Sequence, residues 1–197
     1  METPGGGKGW GMWTQQHIEG HMAWGQRGFS LIEILVTIAV AAVLAGVAVP
    51  SLSGFLRNVK LNSISGSLVA SLQQARGEAI ARNQGVLVCP SNTTKTDCAA
   101  STNWGVNGWL VCYDGNADGA CDDSTADVPN PIRVEDKVDT KFATVTGPAA
   151  AIRFAPSGSQ GVAGSAMVTI SITGTWSGAT ALAVTVAGSG LIKGSRV

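Results

Sequence analysis

Arg27-Gly28-Phe29-Ser30-Leu31-Ile32-Glu33 opens the stretch of sequence that decides the fold of this chain. An apolar run follows it to Val49, and the only charged side chain in residues 29–49 is Glu33. Because roughly 20 apolar residues of helix cross the hydrocarbon core of a bilayer, this run is long enough to span a membrane. A carboxylate inside such a run costs on the order of 3 kcal/mol or more. Glu33 is therefore a candidate functional residue that needs a partner.

The junction before the run has the pattern of a processing site. Gln26-Arg27-Gly28 is polar and ends in a small residue, and Phe29 is bulky and apolar. This stretch resembles the N-terminus of type IV pilins and type II secretion pseudopilins, whose leader ends in Gly and is followed by Phe and by Glu at the fifth position. Gly28, Phe29 and Glu33 occupy those places, and Pro50 stands where these proteins carry a helix-bending proline. The resemblance implies cleavage after Gly28 and N-methylation of Phe29 by a prepilin peptidase.

Two other interpretations of the apolar run stay open. An ordinary secretory signal could be cleaved after Ala48, although the apolar region of such a signal is only about 7–15 residues long. A plain membrane anchor would explain the length of the run and would give Glu33 no role.

The chain has 197 residues, which suits one anchor and one globular domain. We expect a leader over residues 1–28, a transmembrane helical segment over 29–49, an amphipathic helical half over 50–84 and a β-rich domain over 85–197. Translation could start at Met1 or at Met22, and the second start would leave a leader of seven residues. The formal net charge is zero and 13% of residues are charged. The overall charge therefore does not indicate binding to nucleic acid or to an anionic membrane.

Residues 50–84 are expected to continue the helix with one apolar face. The apolar residues recur at three- and four-residue steps, and they are Leu61, Ile64, Leu68, Leu72, Ala75 and Ala79. Gly85 is the expected end of the helix, and Pro50 with Gly54 predicts a bend. At 1.5 Å per residue, a helix from Phe29 to Asn83 would be about 80 Å long.

Beyond Gly85 the pattern changes to short strands separated by turn residues. The predicted strands are Val86–Cys89, Trp109–Tyr113, Ile132–Val134, Phe142–Val145, Ile152–Ala155, Met167–Ile172 and Leu182–Val186. Such strands need a cover for one face, and the amphipathic helix is the expected cover.

The family can be narrowed from motifs in this domain. The segments Arg76-Gly77-Glu78-Ala79-Ile80-Ala81-Arg82-Asn83 and Val86-Leu87-Val88-Cys89 resemble the GspH/FimT group of minor pilins and pseudopilins. Trp104, Gly108-Trp109-Leu110-Val111 and Ile152-Arg153-Phe154 with Ser157-Gly158 are further matches.

Membership of that group implies an α+β, pilin-like fold, in which a long N-terminal helix packs on an antiparallel β-sheet domain. It implies a structural subunit that primes or caps a type IV pilus or a type II secretion pseudopilus, without enzymatic activity of its own. The expected location is the inner membrane, with one transmembrane pass and the C-terminal domain in the periplasm. The expected partners are other pilin or pseudopilin subunits, the prepilin peptidase and the inner-membrane assembly platform.

For Glu33 we expect an assembly role. Cleavage after Gly28 creates a free amine at Phe29, and a carboxylate in a low-dielectric environment strongly favours such a partner. If that amine belongs to a neighbouring subunit, the ion pair would set the register during insertion into a filament.

Four Cys lie beyond the apolar run, which predicts two disulfides if this part of the chain is exported. The preferred pairing among three possible ones is Cys89 with Cys98 and Cys112 with Cys121, because each closes a short loop. A zinc site is the alternative, but both His residues lie in the expected leader and no C-x-x-C pair occurs.

Asp114-Gly115-Asn116-Ala117-Asp118-Gly119 matches the first half of a calcium loop. Asp114, Asn116, Asp118 and Asp122, at the ninth position, would supply the oxygen ligands. Thr125 stands where the bidentate Glu is expected, and Cys121 lies inside the loop. A calcium site and a solvated acidic turn held by a disulfide are both open, and no other cofactor is expected.

The segment from Gly190 to Val197 is locally basic through Lys193 and Arg196. Some FimT-like proteins bind DNA through a Gly-Arg-x-Arg-like motif at this place, but here Leu191 replaces the first Arg and Lys193 the second. Two or three cations give a weak, salt-sensitive grip on phosphate, so DNA binding is the alternative to a purely structural role. The sequence has no Gly-rich phosphate loop and no H-E-x-x-H motif. We therefore expect that the protein is not an enzyme.

Overall fold

A computed structural model of the chain describes residues 28–122, 129–161 and 167–197, and gives residues 47–51 as helix without their side chains. The expected leader therefore lies outside the described residues, apart from Gly28. The chain divides into two compact units, one that ends at Ala45 and one from Gly46 to Val197.

One long helix, α1, covers Leu31–Arg82. It ends because Asn83 adopts a left-handed conformation with φ of 53°, and the N–H of Gln84 donates to the carbonyl of Ala79. Asn83, and not Gly85, is thus the stop residue. Gly85 is needed for a different reason, since a Cβ there would lie 2.5 Å from the carbonyl oxygen of Asp114. The bend expected near Pro50 stays a prediction.

The strands of the second unit form two antiparallel sheets. The strands are β1 Val86–Pro90, β2 Trp109–Tyr113, β3 Arg133–Val134, β4 Ala143–Thr146, β5 Ile152–Phe154, β6 Met167–Gly174, β7 Ala181–Ala187 and β8 Ile192–Arg196. Sheet 1 has the order β3-β2-β1-β5 and sheet 2 the order β4-β6-β7-β8. The predicted fold class is confirmed, and each of the seven predicted strands corresponds to one of these. The last strand, β8, was not predicted.

The core of this unit lies between α1 and the two sheets. The helix contributes the predicted stripe, with Leu61, Leu68, Leu72, Ala75 and Ala79 buried and Ile64 partly buried. The sheets contribute large side chains such as Phe154 and Ile170. Two buried indole groups satisfy their N–H donors: Trp104 donates to the carbonyl of Pro148 at 2.9 Å, and Trp109 donates to the hydroxyl of Ser71 at 3.0 Å.

Candidate functional site

The expected processing junction lies directly before α1. Gly28, Phe29 and Ser30 precede the first helical residue, Leu31, and are not helical. The side chain of Phe29 is 77% exposed, and a Cβ at Gly28 would meet nothing within 4 Å. On the described side of the junction, these residues are therefore outside the helix and accessible.

Glu33 lies in the first turn of α1 and is exposed. Its backbone N–H donates to the hydroxyl oxygen of Ser30 at 3.2 Å, so Ser30 caps the helix. A Ser followed three residues later by Glu is a recognised start signal for a helix, and an acidic side chain there interacts favourably with the helix dipole. The position of Glu33 therefore suits the start of the helix, and its predicted role in assembly stays a prediction.

The first unit exposes an apolar surface. Nine large apolar side chains between residues 31 and 44 are exposed, from 48% at Ile34 to 76% at Leu31. These are Leu31, Ile32, Ile34, Leu35, Val36, Ile38, Val40, Val43 and Leu44. A contiguous apolar surface of this kind needs a cover in the assembled protein.

Within the part of the chain described with side chains, no helical stretch combines the length and apolarity needed to cross a bilayer. The predicted span over residues 29–49 runs into residues 47–49, whose side chains lie outside the described residues.

Both disulfides are present, and they join Cys89 to Cys98 and Cys112 to Cys121. The two bridges lie side by side on one face of sheet 1, where the sulfur atoms of Cys89, Cys98 and Cys112 are within 4.8 Å of one another. The carboxylate of Asp97 ties the loops together, because it accepts from the N–H of Cys98 at 2.7 Å and from the N–H of Cys121 at 2.9 Å. This face of the sheet is thereby closed by covalent loops.

The acidic loop after β2 is organised by its own hydrogen bonds. One oxygen of Asp114 accepts from the N–H of Asp118 at 3.1 Å, and the carboxylate of Asp122 accepts from the N–H of Gly115 at 2.7 Å. The amide of Asn116 donates to Asp118 at 2.9 Å. All four predicted calcium ligands are thus engaged within the loop.

The carboxylate of Asp114 also pairs with Arg153 of β5. The Nε of Arg153 lies 3.1 Å from the second oxygen of Asp114, whose side chain is fully buried. A guanidinium at this distance repels a second cation, so the geometry supports the acidic turn rather than the calcium loop. Calcium binding stays a prediction, and Thr125, its twelfth position, lies outside the described residues.

The basic residues near the C-terminus lie on β8, which is an edge strand of sheet 2. Lys193 and Arg196 are both exposed, but they differ by three positions along a strand and so project from opposite faces. The strand therefore does not assemble them into one cationic surface.

Comparison with known proteins places the chain in a family. A prokaryotic N-terminal methylation motif matches residues 25–49, and the sequence model of the type II transport protein GspH matches residues 65–190. The chain belongs to the GspH family. The members of this family are pilin-like subunits, and the methylation motif contains Gly28, Phe29 and Glu33.

Two solved structures are similar to this GspH-family chain. Both are crystal forms of the type IV minor pilin FimU of Pseudomonas aeruginosa strain PAO1. One has 19% identity and a TM-score of 0.48 over 71% of this chain and 90% of that one. The other has 18% identity and a TM-score of 0.46 over 68% of this chain and 91% of that one. No curated protein sequence matches. The family membership therefore rests on the GspH match and on the methylation motif.

The structural roles of three residues of this GspH-family chain, Ser30, Asp97 and Arg153, were not found in the sequence analysis. The cap at Ser30 could have been found from the Ser-x-x-Glu spacing. The bridging role of Asp97 and the pairing of Arg153 with Asp114 had no such signal, since they join residues 24 and 39 positions apart. The GspH match ends at residue 190, so Lys193 and Arg196 lie outside it.

Proposed function

We propose that this GspH-family chain is a minor pilin or pseudopilin. It is anchored in the inner membrane by its N-terminal helix, is processed between Gly28 and Phe29, and primes or caps a type IV pilus or a type II secretion pseudopilus. One observation carries the proposal: an exposed apolar helical surface with a single carboxylate, Glu33, starts directly after the junction and lies within a methylation motif. Such a surface is suited first to lipid and then to the helices of neighbouring subunits.

Processing is tested by mass spectrometry of the protein extracted from membranes of the organism that makes it. The expected chain begins with N-methylated Phe29. A chain that begins at Val49 would identify an ordinary signal peptide and overturn the proposal.

The assembly role of Glu33 needs a variant that spares the helix cap. Glu33→Gln keeps a side chain that suits the third helical position and removes the charge that would pair with an amine. We expect the variant to accumulate and to be cleaved, while its share in sheared filaments falls several-fold relative to its amount in membranes.

The matched control is Ser30→Ala, which weakens the cap and leaves the carboxylate in place. This variant should enter filaments nearly as well as the wild-type chain. If Glu33→Gln were incorporated at the wild-type level, the carboxylate would have no assembly role.

DNA binding through Lys193 and Arg196 is the alternative function. The separation of these side chains onto opposite faces of β8 gives it less support, because each phosphate contact would act alone. Retention of the full-length protein on duplex DNA at low salt, lost in Lys193→Gln/Arg196→Gln, would favour this alternative.

A further inference from the structure

Several basic side chains lie at one end of sheet 2. The register pairs Ala143 with Gly174 and Leu182 with Arg196, and Thr173 with Ala181. The start of β4, the end of β6, the start of β7 and the end of β8 therefore meet at one end of the sheet. Lys141 and Arg196 are exposed there.

The helix adds two more cations at the same end. The guanidinium of Arg57 lies 6.0 Å from the ring centroid of Trp176, and the Nζ of Lys60 lies 4.4 Å from the ring of Phe142. The two rings are 5.1 Å apart and pack on the core. We call the four residues Arg57, Lys60, Lys141 and Arg196 the basic end.

Lys60 lines one surface pocket with Glu135, Asp136 and Asp139, but no ion pair among the described residues neutralises the basic end. Among the described residues, no carboxylate lies within ion-pair distance of these four side chains, whereas Arg82, Lys95, Arg133 and Arg153 each have an acidic partner. Asp139 is the acidic residue nearest in sequence, and its carboxylate accepts from the backbone N–H of Lys141. An aromatic ring holds a cation in place and leaves its charge available to an anion.

An exposed apolar stripe lies beside the basic end on α1. Leu52, Phe55, Leu56 and Val59 recur at three- and four-residue steps and are 47% to 62% exposed. Arg57 and Lys60 belong to the same two turns. A row of apolar side chains flanked by cations and a Trp ring is the composition of a protein surface at the membrane–water boundary.

We propose that the basic end binds the phosphate groups of anionic phospholipids and holds the domain on the membrane surface. The proposal rests on the proposed membrane-anchored role. In that role the expected transmembrane span ends three residues before Leu52, so the apolar stripe follows the span directly in the sequence. Each cation near an anionic surface contributes a factor of about five in affinity. Duplex DNA also presents phosphate groups, but it has no apolar surface that would cover the apolar stripe. The contact would retain the subunit at the membrane and would have to break when the subunit enters a filament.

The test uses the full-length protein in nanodiscs of phosphatidylcholine alone and of phosphatidylcholine with phosphatidylglycerol. Backbone hydrogen exchange is measured in peptides that cover residues 139–143 and 192–197. We expect exchange in both peptides to be at least fivefold slower in the anionic discs, and we expect high salt to abolish the difference.

Two exposed lysines allow a matched pair of variants. Lys141→Glu should remove the protection, and Lys193→Glu, which changes the net charge equally outside the basic end, should retain it. Equal exchange in the two disc types, or equal effects of the two variants, would overturn the proposal. Protection in neutral discs on addition of duplex DNA, without protection by anionic lipid, would assign the surface to nucleic acid. A chain that inserts into neither disc type would contradict the anchored role and this proposal together, whereas insertion with equal exchange would contradict this proposal alone.

Discussion

The two sheets of the domain differ in how their two faces are covered. In sheet 1 every residue of β1 and β2 is buried, because α1 covers one face and the disulfide loops cover the other. In sheet 2 the residues of β6 alternate between exposed and buried, so one face packs on the core and the other meets solvent. A short strand can therefore be wholly buried in a small domain if covalent loops provide the second cover.

The second cover of sheet 1 is a small cluster of its own. It contains Leu87, Cys89, Leu110 and Cys112, with Cys98, Cys121 and Ala151 packed against them. The loops that carry Cys98 and Cys121 are short and polar, and the bridges hold them on the sheet. If the comparison is correct, damage to this cover should destabilise the domain strongly, and equivalent changes on the outer face of sheet 2 should not.

The largest effect is expected from removal of both disulfides, with all four Cys changed to Ala. Each bridge spans a sequence separation of 9, and closing a loop of that size stabilises by roughly 2–3 kcal/mol. The free energy of unfolding should therefore fall by about 5 kcal/mol, as measured by urea unfolding of the full-length protein in detergent. Cys89→Ala/Cys98→Ala alone should show about half of this loss. Unchanged stability in the protein without disulfides would show that the loops are not a cover.

Leu110→Ala tests the apolar part of the same cover. Leu110 is fully buried on the outer face of sheet 1, and truncation of a buried Leu costs about 3 kcal/mol. Urea unfolding should reveal this loss although the side chain points away from α1. A loss of less than about 1 kcal/mol would mean that the cover is loose.

Tyr113, at the end of β2, gives sheet 1 a dependence on pH. Burial, followed by the hydrogen bond from its hydroxyl to Glu78 at 2.8 Å and the charge of that carboxylate, raises the pKa of Tyr113 to about 12. The contribution of the protonated phenol to stability is complete below pH 10 and is lost between about pH 10 and 12, by roughly 2 kcal/mol.

This tyrosine is the only one in the chain, so its ultraviolet absorbance reports the titration directly. The midpoint should lie near pH 12 in the folded protein and near 10 in denaturant. Glu78→Gln should lower the folded value, because it removes the nearby negative charge. A folded midpoint of 10 would contradict the burial of the hydroxyl.

The smallest effect is expected on the outer face of sheet 2. Thr169 is exposed in the middle of β6, and Thr169→Ala should change the free energy of unfolding by about 0.5 kcal/mol or less. The neighbouring Ile170 is fully buried, so Ile170→Ala should cost about 3 kcal/mol. If both changes had similar effects, the outer face of sheet 2 would not be a solvent face.

The sequence by itself determined the elements whose signals are local. The stripe from Leu61 to Ala79 placed the buried face of α1, and the alternation over Met167–Ile172 placed β6, because the periods of helix and strand are properties of neighbouring residues. The Gly-Phe junction with Glu33 indicated a pilin or pseudopilin, which the methylation motif bears out, and the motifs from Arg76 onward indicated the GspH/FimT group, which the GspH match bears out. The edge strand β8 was missed because its polar and glycine residues give no strand pattern, as is common at sheet edges.

Only the tertiary structure decided what covers each face. The run Val86-Leu87-Val88-Cys89 predicts a strand, but it does not indicate that the loops of Cys98 and Cys121 bury the outer face. The pairing of Asp114 with Arg153 joins residues 39 positions apart and gives a predicted calcium ligand a structural partner. The basic end is likewise invisible in a chain of zero net charge. A sequence pattern shows which side of a helix or strand is apolar or charged. Only the folded chain decides whether a residue distant in sequence packs against that side or whether the side stays exposed.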